Sequence, residues 1–188
     1  MSRLYMNNRW CVRCGRQGPT PYLKAQEPRL WSMVKGSRVL DLGCGNGRNM
    51  KFLASLCTPA TGGREWSCSG IDMAKSCPGS GCTCYEGVLG ASSFPMGDKT
   101  VNLFLANYSL MFLNDKELRG VVREIARTSD NKALLMVELY PAKDSQCKDD
   151  QECEVLRDRI PGMLARQGLT VVIVHKVKNR MILQLVRD

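Results

Sequence analysis

The sequence is poor in histidine and in long apolar runs, and both absences narrow the possible classes of protein. No stretch approaches the roughly 18 uninterrupted apolar residues that a membrane span needs, and the opening "MSRLYMNNRWCVRCG" has no apolar centre like that of a signal peptide. We therefore expect a soluble, cytoplasmic protein without a membrane partner. The only histidine, His175, falls in a predicted strand, and we interpret it as structural rather than catalytic.

Acidic residues are almost absent from the first 40 residues. This region holds eight basic residues and one acid, and it accounts for +7 of the net charge of +9. Aromatic residues are interleaved with these cations at Tyr5, Trp10, Tyr22 and Trp31. Such a segment is suited to binding a phosphate backbone and unpaired bases, or equally to packing its aromatic residues onto the rest of the protein.

The length and composition fit one domain. A chain of 188 residues that is 44% hydrophobic is long enough for a full core and too short for two ordinary domains. We predict a basic, aromatic, cysteine-containing extension at residues 1–27, followed by a single domain at residues 28–188 with a cysteine-rich insertion at about 76–84.

Ten cysteines are many for a chain with no secretion signal, and a disulfide scaffold is not expected where a core can form. The pair in "CVRCG", Cys11 and Cys14, has the spacing of a zinc knuckle. With Cys82 and Cys84, or with Cys77 as a substitute, it could complete a four-ligand structural zinc site. The alternative is unliganded thiols in loops. We expect the remaining candidates to be core residues: Cys44, Cys57 and Cys68.

The stretch "SRVLDLGCGNGRNM" joins a predicted strand at 38–42 to a predicted helix at 48–57. Further strands are predicted at 68–72, 84–88, 101–107, 133–140, 170–176 and 181–186, and further helices at 27–36, 115–128 and 149–168. Pro161 should kink or divide the last helix. This alternation predicts an α/β fold with one doubly wound, mostly parallel sheet, helices on both faces and an antiparallel C-terminal hairpin.

The glycine turn between the first strand and its helix predicts a ligand site. The dinucleotide fingerprint G-x-G-x-x-G is not matched, because Arg48 stands in place of its third glycine, and the phosphate-loop pattern is absent. Asp41, just before the turn, would repel a pyrophosphate but would suit an ammonium or sulfonium group. Asp72 ends the second strand, where it could accept hydrogen bonds from ribose hydroxyls. An adenosyl group with a cationic amino-acid tail fits both acids, so we expect S-adenosylmethionine.

Four segments in order resemble a known family: "VLDLGCGNGRNMKFL", "GIDMA", "GASSFPMGDKTVNLFLANYSLMFL" and "REIARTSDNKALLMVEL". They are similar to the successive motifs of class I S-adenosylmethionine-dependent methyltransferases with a D-x-G-x-G-x-G signature, over about residues 37–140. The resemblance implies a Rossmann-like sheet of seven strands with a reversed last strand. It also implies an enzyme that releases S-adenosylhomocysteine.

The resemblance implies the following cofactor-binding residues by position. Asp41 and the backbone of Gly43, Cys44, Gly45, Asn46 and Gly47 would hold the methionine part, Asp72 the ribose, and Met73 the adenine. Gly90, Ala91 and Ser92 occupy a segment that contacts adenine in the family, but Gly90 and Asn102 each replace a frequent aspartate. Asn107 falls where the family approaches the methyl donor and is the nearest candidate for a catalytic residue.

The sequence contains few signals that indicate which molecule accepts the methyl group. Neither [DNS]-P-P-[FYW] nor a Pro-Cys pair stands near Asn107, where the chain reads "NYSL". Methyl transfer can proceed by positioning without a dedicated base, so the lack of one does not argue against catalysis. We expect methylation of RNA or DNA through the basic extension, with small-molecule methylation and a non-catalytic cofactor-binding or nucleic-acid-binding subunit as alternatives. The protein is expected to be a monomer or part of a small complex, with a partner subunit possible.

Overall fold

The fold is a seven-stranded sheet with helices on both faces. The computed structural model describes residues 18–56, 66–73, 82–139 and 150–187. Within these residues the strands are β1 (Arg38–Leu42), β2 (Ser67–Asp72), β3 (Thr83–Glu86), β4 (Val101–Asn107), β5 (Ser129–Glu138), β6 (Thr170–Val177) and β7 (Arg180–Val186). They follow the order β3-β2-β1-β4-β5-β7-β6. All neighbouring pairs are parallel except those of β7, which is antiparallel to β5 and β6. The predicted mostly parallel sheet and C-terminal hairpin are confirmed.

The helices cover the sheet in two pairs. They are α1 (Pro21–Met33), α2 (Arg48–Ser55), α3 (Asp115–Thr128) and α4 (Asp150–Ala165), with a short 3-10 turn at Leu110–Phe112. Alternate residues of the central strand β4 enter two separate cores. Leu103 and Leu105 pack with α1 and α2, whereas Phe104 and Ala106 pack with α3 and α4. Because β4 is buried on both faces, it reads as a continuous apolar run.

Helix α1 begins earlier than the sequence reading predicted. We expected a short helix that starts near Pro28, but it starts at Pro21, and the Thr20 side chain caps it by accepting a hydrogen bond from the Leu23 N–H at 3.2 Å. A threonine cap followed by proline at the first helical position is a strong start signal that our reading missed. Helix α1 thus runs through residues 27 and 28, where the boundary of the predicted extension lies.

Of the two effects expected at Pro161, a kink or a division of the last helix, the division does not occur. Helix α4 is continuous from Asp150 to Ala165, with Pro161 inside it. Ile160, Met163 and Leu164 are buried against the sheet on either side of this proline. We attribute the continuity to this packing, which offsets the loss of one backbone hydrogen bond. In the described part of the chain, no helix is both long and apolar enough to cross a membrane.

Candidate cofactor site

The carboxyl ends of β1, β2 and β4 form the most favourable place in the sheet for a ligand. From β1 the chain continues to β2 on one side, whereas β4 lies on the other side of β1. Asp41 is level with Gly70 of β2 and with Leu105 of β4. Two residues further along, Gly43, Asp72 and Asn107 therefore end three adjacent strands at one level. Ligands of open parallel sheets bind in the crevice at such a switch point.

The glycine turn needs its glycines for backbone conformation and for space. Gly43, Gly45 and Gly47 have φ values of +76°, +53° and +72°, which side chains rarely adopt. A Cβ atom on Gly43 would lie 2.5 Å from Cβ of Ser109, so the segment after β4 touches the turn directly. The Gly45 N–H donates to Asp72 Oδ2 at 2.9 Å. The first turn and the end of β2 are thereby fixed to each other.

Asp41 is a buried carboxylate beside this turn, with only 1% of its surface exposed. Burial, followed by the nearby charge of Asp72, raises the pKa of Asp41 to about 7, and Arg48 opposes the shift. Its Oδ2 atom has no hydrogen-bond partner in the structure. A bound cation would favour the ionised form of this group, as we expected for an ammonium or sulfonium group.

The other residues of the turn offer backbone rather than side chains. The Cys44 side chain is buried next to β2, and a Cβ on Gly70 would lie 2.6 Å from its sulfur. Burial raises the pKa of this thiol, which stays protonated. Asn46 Oδ1 accepts the Arg48 N–H at 3.3 Å, near the start of α2, where Gly47 is the cap residue. The use of backbone groups at positions 43–47 to hold the cofactor stays a prediction.

A second wall of the crevice follows β2 and β3. Met73 and Gly90 are half-buried, and Ala91 and Ser92 are exposed. Gly90 has a φ of +82°, and a Cβ there would lie 2.1 Å from the carbonyl oxygen of Glu117 in α3. An aspartate, which the family often has at this position, cannot fit in this backbone arrangement. Gly90 is therefore explained by close packing on α3, and it is not by itself a sign of a degraded site.

Asn102 lies at the opposite end of the sheet from the crevice. Its Oδ1 accepts the Arg38 N–H at 3.0 Å, and its Nδ2 donates to Asp130 Oδ2 at 2.8 Å. The side chain ties together the amino ends of β1, β4 and β5. Its replacement of a frequent aspartate consequently has a structural explanation in these two contacts.

Asn107 lies at the carboxyl end of β4 in a buried polar cluster that sequence reasoning did not foresee. Its Nδ2 donates to Glu138 Oε2 at 3.1 Å and to Thr20 Oγ1 at 3.4 Å. Glu138 is fully buried at the end of β5, and its Oε1 accepts from Arg180 Nε at 2.9 Å. An acid that ends an apolar strand was the signal that drew attention to Asp41. The same signal at "ALLMVE" could have identified Glu138.

Two tyrosines complete this cluster. Tyr108 has a φ of +62°, and burial, followed by the charge and hydrogen bond of Glu138, raises its pKa. The guanidinium carbon of Arg180 lies 5.2 Å from the centre of the Tyr22 ring. Burial, followed by Glu138, raises the pKa of Tyr22 to about 12, so its hydroxyl stays protonated. This hydroxyl forms a hydrogen bond of 2.8 Å with His175 Nδ1, in which the tautomer of the imidazole sets the donor.

The predicted zinc site is not supported. Cys11, Cys14 and Cys77 lie outside the described residues. Cys82 is a half-buried thiol outside any disulfide, but Cys84 is disulfide-bonded and so is not the thiolate ligand we expected. Among the described residues no group of three or more metal-ligating side chains is present. Cys44 and Cys68 are buried core residues as expected, and Cys57 lies outside the described part.

The comparisons with known proteins agree with this geometry. A family described as "Methyltransferase domain" matches residues 39–131. A TehB-like SAM-dependent methyltransferase from Corynebacterium glutamicum is similar over 98% of this chain and 96% of its own, with a TM-score of 0.61 and 14% identity. A SAM-dependent methyltransferase from Aquifex aeolicus is similar over 93% of this chain and 97% of its own, with a TM-score of 0.61 and 14% identity. No curated protein sequence matches the chain significantly.

The fold and the glycine turn define the chain as a Rossmann-like methyltransferase. With the family match, it belongs to the class I S-adenosylmethionine-dependent methyltransferases. The residues present fit the cofactor. Three buried polar atoms without partners, Asp41 Oδ2, Asn107 Oδ1 and Ser109 Oγ, lie around the turn. When bound, S-adenosylmethionine supplies a methyl group whose transfer to a nucleophilic atom leaves a neutral thioether.

Proposed function

We propose that this methyltransferase acts on a small acceptor bound at the carboxyl ends of β4 and β5. The observation that carries the proposal is the covering of this edge by the start of α1. Thr20, Tyr22 and Leu23 are buried there, and Thr20 contacts both Asn107 and Asn49, the latter accepting the Thr20 N–H at 3.1 Å. A crevice closed in this way suits a compact acceptor, because water is excluded and the reacting atoms are held in place.

The described aromatic residues of the basic region support the same proposal. Tyr22 is buried under Arg180, and Trp31 packs edge-on against Trp66 with ring centres 4.7 Å apart. These two rings are used for internal packing, so they are not available as a platform for stacked bases. Tyr5 and Trp10 lie outside the described residues.

A nucleic-acid acceptor is the second candidate, and charge favours it. Lys24, Arg29, Lys35 and Arg38 are exposed, and they belong to the region that carries +7 of the net charge of +9. A cluster of exposed cations with few acids attracts phosphates even without stacking aromatic residues. Under this alternative, substrate binding weakens steeply as salt concentration rises.

The first test is calorimetric titration with S-adenosylmethionine and S-adenosylhomocysteine, with Asp41→Asn as a control of equal size. We expect micromolar binding that the substitution weakens strongly. Transfer of a radiolabelled methyl group is then followed into a low-molecular-mass ultrafiltrate and into RNA and DNA from the same cells. Label in the ultrafiltrate that resists nuclease supports the small acceptor. Label in nuclease-sensitive polymer, lost at high salt, would establish the second candidate instead.

A further inference from the structure

A chain of buried polar contacts links β7 to the end of β4. Arg180 Nε donates to Glu138 Oε1 at 2.9 Å, and Asn107 Nδ2 donates to Glu138 Oε2 at 3.1 Å. Glu138 has no exposed surface, while Arg180 is partly exposed. A buried carboxylate is stable where it is paired with a cation and its remaining lone pairs are satisfied. The arrangement therefore uses both carboxylate oxygens of Glu138 as hydrogen-bond acceptors.

The charge on Glu138 fixes the orientation of the Asn107 amide. An ionised carboxylate cannot donate, so the amide must present its NH₂ group to Glu138, and the second hydrogen goes to Thr20 Oγ1 at 3.4 Å. Both donors of Asn107 are thereby used. Its Oδ1 is shielded from water and has no partner. The side chain offers one function only, which is to accept a hydrogen bond.

Oδ1 lies in the part of the sheet where a methyl group would be transferred. Asn107 is level with Gly43 of the glycine turn, and Ser109, two residues later, touches Gly43. Thr20, which contacts the Asn107 amide, also contacts Asn49 in the first turn of α2. Because no solvent reaches Oδ1, only a bound group that displaces the present packing can donate to it. In such surroundings a hydrogen bond is stronger than in water.

We propose that Asn107 Oδ1 accepts a hydrogen bond from the atom that receives the methyl group, and that Glu138 is the positioning residue that keeps Oδ1 turned towards it. This inference rests on the proposed function and narrows it to acceptors that carry hydrogen on the reacting atom, which are amines or hydroxyl compounds. The lone pair of that nitrogen or oxygen forms the new bond to carbon. The carbon–sulfur bond breaks with its electrons passing to sulfur. The acceptor's proton passes to bulk water when the methylated product leaves the crevice, because an amide is too weak a base to keep it.

The test uses two ligands that need no known acceptor. S-adenosylhomocysteine lacks the methyl group, and sinefungin is the analogue in which a carbon bearing an ammonium group replaces the methylated sulfur. That ammonium would donate to Asn107 Oδ1, so we expect the wild-type protein to bind sinefungin roughly tenfold to hundredfold more tightly than S-adenosylhomocysteine. Calorimetry gives both dissociation constants, and their ratio is the readout.

Two variants should remove this preference while S-adenosylhomocysteine still binds. Asn107→Ala removes the acceptor. Glu138→Gln keeps size and shape, but Arg180 still donates to the new side-chain oxygen, so its NH₂ group faces Asn107. The Asn107 amide must then turn its oxygen away from the ligand and towards position 138. The matched control is Asn102→Ala, a buried asparagine at the other end of β4, which should leave the ratio unchanged.

Each outcome bears on a different claim. If the wild-type protein does not bind S-adenosylhomocysteine, the proposed function fails, and this inference fails with it. If S-adenosylhomocysteine binds but sinefungin has no advantage, or if the advantage persists in both variants, the inference alone is overturned. A lost advantage in Asn102→Ala as well would also overturn it, since the effect would then be general loosening of β4. Should Glu138→Gln not fold, Asn107→Ala against Asn102→Ala still decides.

Discussion

The two ends of the parallel sheet contain similar buried polar residues but use them differently. At the amino end, Asn102 is fully paired with Arg38 and Asp130, and the Arg187 side chain donates to backbone carbonyls of Ala126 and Ser129. At the carboxyl end, buried oxygen atoms of Asp41, Asn107 and Ser109 have no partner. One further unpartnered atom in the described residues, Nε1 of Trp66, lies at the amino end beside Trp31.

This difference indicates that the carboxyl end of the sheet is less stable than it would be with all its polar groups paired, as is expected of a binding site. An unsatisfied buried polar group costs about 1–3 kcal/mol, so three around one turn are a considerable penalty. Left-handed backbone occurs at both ends, at Gly43, Gly45, Gly47 and Tyr108 near the carboxyl end and at Lys99 and Lys132 near the amino end, so the contrast lies in the unpartnered polar atoms. Polar groups at the amino end stabilise the fold, and we predict that those at the carboxyl end gain their partners when a ligand binds.

The largest effect on stability is expected where the loop that contains Gly90 packs against α3. A Cβ on Gly120 would lie 2.2 Å from the Gly90 carbonyl oxygen, and both groups belong to backbone that cannot move aside cheaply. Gly120→Ala should therefore lower the free energy of unfolding by about 3 kcal/mol or more in urea denaturation. Gly162→Ala is the matched helical control, since only Arg166 Nη1, at 3.8 Å, is near its Cβ. It should stabilise by about 0.5–1 kcal/mol, and equal effects of the two changes would contradict the close packing.

The glycine turn gives the next largest effect. Gly43 and Gly168 have similar φ values of +76° and +79°, but only the Cβ on Gly43 meets a neighbour, Ser109. Gly168→Ala should cost about 1–2 kcal/mol for its backbone conformation. Gly43→Ala should cost about 1–3 kcal/mol more for the clash and should abolish binding of S-adenosylhomocysteine. Adding Ser109→Gly should reduce the cost of Gly43→Ala to that of Gly168→Ala in the same denaturation experiment.

The pKa of Asp41 predicts how cofactor binding depends on pH. A cationic amino-acid tail favours the ionised carboxylate, whose pKa is raised to about 7 in the folded protein. Affinity for S-adenosylhomocysteine should therefore rise as pH increases through about 7 and then level off. Asp41→Asn should bind roughly tenfold to hundredfold more weakly above that pH and should show no such rise. Calorimetry across a pH series checks both, and an unchanged pH profile in the variant would assign the titration to another group.

The raised pKa of Asp41 has the opposite effect on the stability of the ligand-free protein, which should fall as pH rises. Between the ordinary pKa of an aspartate and about 7, the folded protein keeps a proton that the unfolded chain has lost. The free energy of unfolding should therefore fall as pH rises through this window. Asp41→Asn should remove this part of the dependence, which denaturation over the same pH series measures.

The smallest effect is expected at the amino end and should leave the cofactor site intact. Asn102→Asp places a second carboxylate against Asp130 and should cost about 1–3 kcal/mol. The double variant with Asp130→Asn exchanges donor and acceptor and should recover most of the loss. Affinity for S-adenosylhomocysteine should match the wild type in both proteins. If Asn102→Asp is fully folded and still binds S-adenosylhomocysteine more weakly, the two ends of the sheet do not have separate roles.

Most of the architecture could be predicted from the sequence, because hydrophobic periodicity and turn residues are local signals. The strand at 101–107 was predicted with its observed bounds, and the hairpin followed from the short connection between its strands. The start of α1 was missed because Thr20 and Pro21 lie in a basic segment that we interpreted by charge. The division expected at Pro161 does not occur, because α4 packs on the sheet through residues that are distant in sequence.

The residues of the candidate site also separate into those with a local sequence signal and those brought together only by folding. Asp41, the glycines and Asp72 were predicted because two short local motifs contain them, the glycine turn after β1 and the acid that ends β2. The cluster around Asn107 was not, because Thr20, Glu138 and Arg180 meet there from three separate segments. The local sequence also could not explain Gly90 or Asn102, since each is dictated by an element elsewhere in the chain.

By itself, the sequence determined the class of fold and predicted the cofactor and the turn expected to hold it, because hydrophobic period, glycine spacing and strand-end acids act over a few neighbouring residues. Only the tertiary structure decided that the amide of Asn107 has a single orientation, and that the carboxyl end of the sheet lies under the start of α1. Both depend on a buried charge and on contacts between distant segments. Such contacts exist only once the chain has folded, because burial is what makes an unpaired carboxylate or amide costly enough to impose one arrangement.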